Sequence, residues 1–255
     1  MFASNEEWIE PVRERLDRTR FEATFADFAD PGLDFAPFDC VVPLGLSDYA
    51  PLRGRTDGKR NFLVPRLSAV ELTDNKLQFI NHLRFNGFGD YVPAVFETPP
   101  AYPFIYKKCR DRAGRNSRIV FSPDELAEFE GTIRPQDYFK QEYVAGRHEF
   151  TTHFVSVNGE PVFDTTVQFT FASEHFVRGI RFEPLSTDKV ETPFGDIFSR
   201  ILKELDYSGT SCFNYKVEGG LPKLFEINPR PGGSLRLDLD NYIEGYLAAL
   251  RIAGA

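Results

Sequence analysis

Residues 224–235 read LFEINPRPGGSL, and this stretch decides how the rest of the chain is understood. An acid, Glu226, and an amide, Asn228, stand two apart, followed by Arg230 and then Pro231-Gly232-Gly233. Side chains two apart on a strand share a face. The preceding run TSCFNYKV, joined to PKLFEIN by EGGL, makes this the second arm of a hairpin. With the turn about Gly219–Gly220, Val217 is expected opposite Lys223, Asn214 opposite Glu226 and Cys212 opposite Asn228. Opposed residues share a face. Asn214, Glu226 and Asn228 then form one patch of oxygen-bearing side chains. Hard oxygens with little total charge suit Mg²⁺ or Mn²⁺ held jointly with phosphate oxygens. Arg230 is placed as a bidentate donor to a phosphate or carboxylate, and Pro231-Gly232-Gly233 lets the backbone turn sharply beside a ligand.

The chain has 255 residues, enough for one large domain or two to three interlocked small ones, and 42% hydrophobic content allows a real core. Its abundant phenylalanine, 26 residues, is read as aromatic core packing. A net charge of −8 argues against nucleic acid as the main partner. No apolar run is long enough to span a bilayer, so no membrane partner is expected. The opening MFASNEEWIEPVRERL carries acids and no apolar segment, unlike a secretory signal. Cys40, Cys109 and Cys212 are scattered, which fits reduced thiols in a cytoplasmic protein and not a zinc site.

Outward from the hairpin, three blocks differ in texture. Residues 1–71 open with a charged helix and reach an expected buried, parallel-type strand, FDCVVPLG at 38–45. Residues 72–139 begin a helix at a cap-like Thr73 or Asp74, with Leu77, Ile80 and Leu83 on one side. They continue with the strand YPFIYKKC, the charged loop RDRAGRNSR, and a helix capped by Ser122. Residues 140–255 are strand-rich, with an Asn158-Gly159 hairpin, a helix PFGDIFSRILKELDY, the EGGL hairpin and a closing helix. Mixed helices and strands of this kind mean α/β or α+β.

The phrase EINPRPGG resembles the metal-binding strand of the ATP-grasp superfamily, and further elements match in order over about residues 70–234. TDNKLQF offers Lys76, with one residue inserted between it and Asp74; YPFIYK offers Lys107; QEYVAGRHE offers Gln141, Glu142, Tyr143, Val144 and Glu149. Alternation alone does not choose between Lys107 and Lys108; the family's spacing favours Lys107. The resemblance implies an α+β fold of two subdomains, 72–139 and 140–255, sandwiching ATP, after a shortened α/β N-terminal domain over 1–71. It implies that Lys76 and Lys107 contact phosphates. The hinge Gln141–Val144 would take adenine largely through backbone, and Glu149 the ribose. Asn214, Glu226 and Asn228 would bind one or two Mg²⁺, and Lys107 and Arg230 would serve the transferred phosphoryl group. The implied reaction activates a carboxylate as an acyl phosphate and joins it to an amine, releasing ADP and phosphate.

The partners implied are small-molecule carboxylates and amines, with a homodimer as the default assembly. A bicarbonate-using carboxylase or carbamoyl-type enzyme and a non-catalytic ATP-binding module are the rival readings. Three departures stand out: one glycine, Gly114, in the loop 110–118; neutral Asn at two metal positions; and a short N-terminal block. Arg178 and Arg181 follow the central strands and are placed either to read a substrate carboxylate or as surface charge. His148 and His153 are assigned no role.

Overall fold

A computed structural model describes residues 1–55, 60–99, 101–111, 114–179 and 182–254. Loop residues 112–113 and Arg181 lie outside the described residues. The α+β reading holds, and all strand pairs of the two larger sheets are antiparallel.

The N-terminal region carries α1 (Glu6–Arg15), the two-residue parallel strands β1 (Phe2–Ala3) and β2 (Phe25–Ala26), and the short α2 (Tyr49–Arg53). The expected strand at 38–45 is reduced to one parallel bridge, Phe2 to Val42. Pro43 has no N–H to continue a ladder, and Val41 N–H is spent on the Asn61 carbonyl instead. The segment is still extended and buried: Val41, Val42 and Leu44 pack into one core with Trp8, Val12 and the closing helix α7 (Leu239–Ala253).

Next come α3 (Leu67–Asp74) and α4 (Lys76–Phe85). The helix expected to start at Thr73 or Asp74 is split there. Asn75 caps α4, its side chain accepting from Gln78 N–H, and Lys76 is the first helical residue. A four-stranded sheet follows, in the order β3 (Val95–Phe96), β6 (Tyr138–Glu142), β4 (Phe104–Lys108), β5 (Arg118–Val120). Phe104, Tyr106 and Val120 turn to α5 (Pro123–Glu130) and its Leu126 and Phe129, which leaves Ile105 and Lys107 on the other face. Ser122 caps α5 by accepting from Glu125 N–H at 3.2 Å, and Glu125 reaches back to Phe121 N–H. Ser122→Ala should therefore cost about 1 kcal/mol, read as a lowered denaturant midpoint with unchanged slope.

The five-stranded sheet runs β11 (Leu221–Asn228), β10 (Gly209–Glu218), β7 (His148–Val157), β8 (Glu160–Thr170), β9 (Ser186–Val190). Asn158 and Gly159 have φ of 51° and 81°, the left-handed pair that a two-residue hairpin requires. β9, an exposed edge strand of sequence STDKV, has no sequence counterpart among the expected elements; four of its five residues are polar and exposed, so no alternation marks it. One face of the sheet is apolar. Phe154, Phe213, Tyr215, Leu224 and Ile227 pack there against α4 and α6 (Gly195–Glu204). The opposite face is polar and looks toward Lys107 across a cleft.

Candidate active site

The hairpin register holds an offset that simple counting misses. Near the turn Val217 pairs with Pro222, not Lys223, so the expected register is off by one there. A β-bulge between Leu224 and Glu226 then inserts Phe225 and restores the expected pairs, Asn214 with Glu226 and Cys212 with Asn228. The bulge explains why Leu224 and Ile227, three apart, both face the apolar core. It also lets Phe225 and Glu226 both line the cleft.

Alternation along β7 and β10 brings Glu149 and Thr151, and Cys212, Asn214 and Lys216, onto this same face. Asn214 Nδ2 donates to Glu226 Oε1 at 2.9 Å and Asn228 Nδ2 to the same oxygen at 3.2 Å. Glu226 Oε2 takes Lys76 Nζ at 3.1 Å. Lys76 is delivered by the first turn of α4, and its Nζ also donates to the Asp111 carbonyl at 2.7 Å. Lys107 enters from the four-stranded sheet, its Nζ 5.2 Å from the Phe225 ring centre. Lys107 is buried and Lys108 half-buried and outside the cleft lining, which separates the two adjacent lysines.

Glu149 is buried and paired with Arg178 Nε at 2.8 Å. Gln141 is buried, its side chain donating to the Pro93 carbonyl at 3.4 Å. Glu142 binds Ala94 through both its backbone N–H and its carboxylate. Tyr143 hydroxyl donates to the Glu174 carbonyl, and Lys216 Nζ donates to the Val144 carbonyl at 3.1 Å. Arg230 lines the same cleft; its Nη1 donates to the Pro231 carbonyl, and the Tyr49 hydroxyl holds the preceding Pro229 carbonyl. The cleft brings together Lys76, Lys107, Gln141–Val144, Glu149, Asn214, Glu226, Asn228 and Arg230 in a cavity of about 870 Å³. Lys216 was not singled out. The signal was there: it follows Asn214 by two on the same strand. Arg178 lies neither on the surface nor free for a substrate carboxylate, but against Glu149, Thr151 and Asn214.

No protein-family model matches the sequence, and no curated protein matches it. Solved structures do match in three dimensions. D-alanine–D-alanine ligase from Bacillus anthracis superposes with a TM-score of 0.62 at 16% identity, over 99% of this chain and 94% of that one. L-amino acid ligase from Bacillus licheniformis gives 0.58 at 18% identity, over 84% of this chain and 56% of that one. Biotin carboxylase from Campylobacter jejuni gives 0.59 at 15% identity, over 84% and 55%. The chain has the ATP-grasp fold. The ATP-grasp cleft here is the space between the two sheets, and Lys76, Lys107, Glu149, Asn214 and Glu226 all project into it.

The electrostatics of this ATP-grasp cleft favour an anion. Among the described residues its lining carries seven cations, Lys76, Lys107, Lys216, Arg15, Arg178, Arg230 and Arg236, against four acids, Glu14, Glu142, Glu149 and Glu226, although the whole chain carries a net charge of −8. Burial alone would raise the Glu226 carboxyl, but Lys76 and Lys107 outweigh it and hold the group at about 2. Burial lowers Lys107 to about 8 against the pull of Glu226, and lowers Lys216 to about 8 against Glu149 and Glu174. Burial raises Glu149 despite Arg178. One ionised carboxylate with amides beside it fits a hard divalent cation that brings further oxygens with it. Among the described residues no group of three or more His, Cys, Asp or Glu could hold a metal alone.

These lysines give a pH prediction with two opposite signs. Their folded values lie near 8, below the free value of 10.5, so above pH 8 the unfolded chain binds more protons. The nucleotide-free chain should gain stability from pH 8 to 9. Above 9 the Cys212 thiol, which burial raises to about 12, pulls the other way. Phosphate affinity should fall over the same interval, by up to roughly tenfold per pH unit for each lysine that must be charged. Thermal melts with and without ATP at pH 7.5, 8.25 and 9.0 would show the two curves converging; parallel curves would count against a role for these lysines.

Proposed function

We propose that this protein is an ATP-dependent carboxylate–amine ligase that works through an acyl phosphate and releases ADP and phosphate. The observation that carries the reading is the Lys76–Glu226–Lys107 cluster, set between the two sheets of an ATP-grasp fold. It is supported by a neighbour: the Bacillus anthracis ligase has been solved complexed with ATP and superposes with a TM-score of 0.62.

In this reading adenine lies along Gln141–Val144 and the ribose reaches Glu149. Lys76, Lys107 and Arg230 neutralise the phosphates. Glu226, with Asn228 and Asn214 beside it, holds Mg²⁺, whose contribution is to neutralise phosphate charge. A carboxylate is a poor acyl donor. Transfer of the γ-phosphoryl group to it, with ADP leaving, creates a good leaving group, and the amine then displaces phosphate. Such a transfer needs positioning and charge neutralisation more than a protein nucleophile, which is what lysines, arginine and one carboxylate provide. The domain division at 71 and 139, the substrates and a cytoplasmic setting belong to the same proposal. Among the described residues no helix is long and apolar enough to cross a membrane.

The test is incubation with Mg-ATP, pooled amino acids and small carboxylic acids, and hydroxylamine as a trap. ADP together with a hydroxamate is expected. AMP would rule out the acyl phosphate, and ADP appearing only with bicarbonate would move the protein to the carboxylating branch. Mg-ATP binding without any turnover across the pool would favour a nucleotide-binding module.

A further inference from the structure

The polar sheet face is a grid: Glu149 and Thr151 on β7, Asn214 and Lys216 on β10, Glu226 and Asn228 on β11. Arg178 comes from the connection between β8 and β9 and lies across it. Its Nε pairs with Glu149 Oε1 at 2.8 Å, Nη1 donates to Thr151 Oγ1 at 2.9 Å, and Nη2 donates to Asn214 Oδ1 at 2.7 Å. The guanidinium carbon is 4.3 Å from the Phe169 ring centre.

This arrangement fixes the Asn214 amide. Its oxygen is turned to the guanidinium and also accepts from Thr151 Oγ1, while its nitrogen faces Glu226. The charges on either side leave one sensible orientation, since an amide oxygen accepts from a cation and an amide N–H donates to a carboxylate. A cation approaching Asn214 would meet an oxygen already committed and a positive charge behind it. Glu226, by contrast, is a carboxylate with about four lone-pair sites, and the Asn214 and Asn228 amides and Lys76 take three of them.

We propose that this site takes its nucleotide with a single divalent cation, and that the Arg178 guanidinium supplies, beside Asn214, the charge a second cation would bring. The proposal rests on the nucleotide reading above. Two features hold Arg178 there. Withdrawing it would strand the buried Glu149 carboxylate without its closest cation. The backbone that carries it is also wedged: a Cβ added at Gly114 would stand 2.8 Å from the Arg178 carbonyl oxygen and 2.9 Å from Val177 Cγ1. The single glycine of the loop 110–118 is the residue that allows this approach.

The test is equilibrium dialysis of the wild-type chain with Mn²⁺ in excess, with and without the hydrolysis-resistant β,γ-imido analogue of ATP. The quantity read is the increment of Mn²⁺ retained per analogue bound. An increment of one is expected. An increment of two overturns the proposal, and failure of the analogue to bind overturns the nucleotide reading and this proposal with it. The wild-type count needs no variant. A folded Arg178→Gln/Asn214→Asp double variant should raise the increment to two; an increment still at one would show that these residues do not set the number. Arg178→Gln alone should weaken the analogue roughly tenfold or more and adenosine by much less. Equal losses for both would mean that Arg178 only holds the site's shape.

Discussion

Glu226→Gln is expected to remove the Mg²⁺ dependence of nucleotide binding altogether. The substitution keeps the shape of the side chain and an oxygen for the Asn214 and Asn228 amides, and deletes only the charge. That charge has two tasks. It is the partner of Lys76, 3.1 Å away, and it offsets the burial of Lys107. Breaking one side of a fully buried pair costs about 3–5 kcal/mol; with the Glu226 side chain 21% exposed the cost falls at the lower end, and the nucleotide-free variant should still melt below wild type at pH 7. The loss should shrink above pH 8, where Lys107 gives up its proton. The emptied negative charge also makes the cleft more attractive to a bare triphosphate. Metal-free ATP should bind the variant more tightly than it binds wild type, while added Mg²⁺ no longer helps. Turnover should fall by about 10²–10³-fold or more, the scale of losing one well-placed electrostatic group. Calorimetric titration with ATP, in chelator and in Mg²⁺, reads both effects. A variant that keeps the wild-type response to Mg²⁺ would mean that Glu226 is not the metal ligand.

Phe198→Ala should destabilise the fold by about 3–5 kcal/mol. Phe198 is fully buried on α6 and its ring meets four others, those of Phe154, Phe194, Phe213 and Tyr215, at 5.0–6.3 Å. Phe154, Phe213 and Tyr215 are the undersides of the strands whose upper faces carry Thr151, His153, Cys212, Asn214 and Lys216. For a chain of this size a loss of that order lowers the melting temperature by roughly 10 °C. Saturating Mg-ATP should recover part of it, because a ligand that binds only the folded state adds stability by mass action. A fall below roughly 3 °C would show that the cavity collapses and that this cluster is not the support of the strands above it.

The parts of the fold that were legible in the sequence are those where local chemistry dictates geometry. Asn158-Gly159 and Gly219-Gly220 demand left-handed turns, and Ser122 and the periodic apolar positions mark α5 and α4. The grouping of Asn214, Glu226 and Asn228 followed from alternation across a hairpin. The counting that led there was wrong near the turn, however, because a bulge leaves no mark in the residue pattern; the extra residue is an ordinary Phe225. Two elements failed for opposite reasons. The apolar run at 38–45 reads as a strand, yet the N–H and C=O groups of Cys40, Val41 and Val42 go to residues 1, 3, 61 and 246, and the N–H groups of Leu44 and Gly45 to Asp48, and not to a ladder. STDKV does join a ladder as β9, but four of its five side chains are polar, and only its backbone partner β8 makes it a strand. In the cleft, Lys216 was within reach of the alternation argument. Arg178 was visible as a residue, but its destination was not, because a side chain arriving from a connection is placed by tertiary packing and has no period to read.

The bulge at Phe225 has a practical corollary. It separates the outer half of the β10–β11 hairpin from the inner half: Leu224 and Ile227 lock the inner register against the core, whatever happens beyond them. A Cβ at Gly219 or Gly220 would meet nothing within 4 Å, but their φ of 58° and 80° favour glycine, so an attachment belongs at the exposed Glu218 or Leu221. The tip at 218–221 is thus a natural attachment point. A fluorophore, an affinity tag or a short inserted epitope there should report on the molecule, or immobilise it, while Glu226 and Asn228 stay where they are.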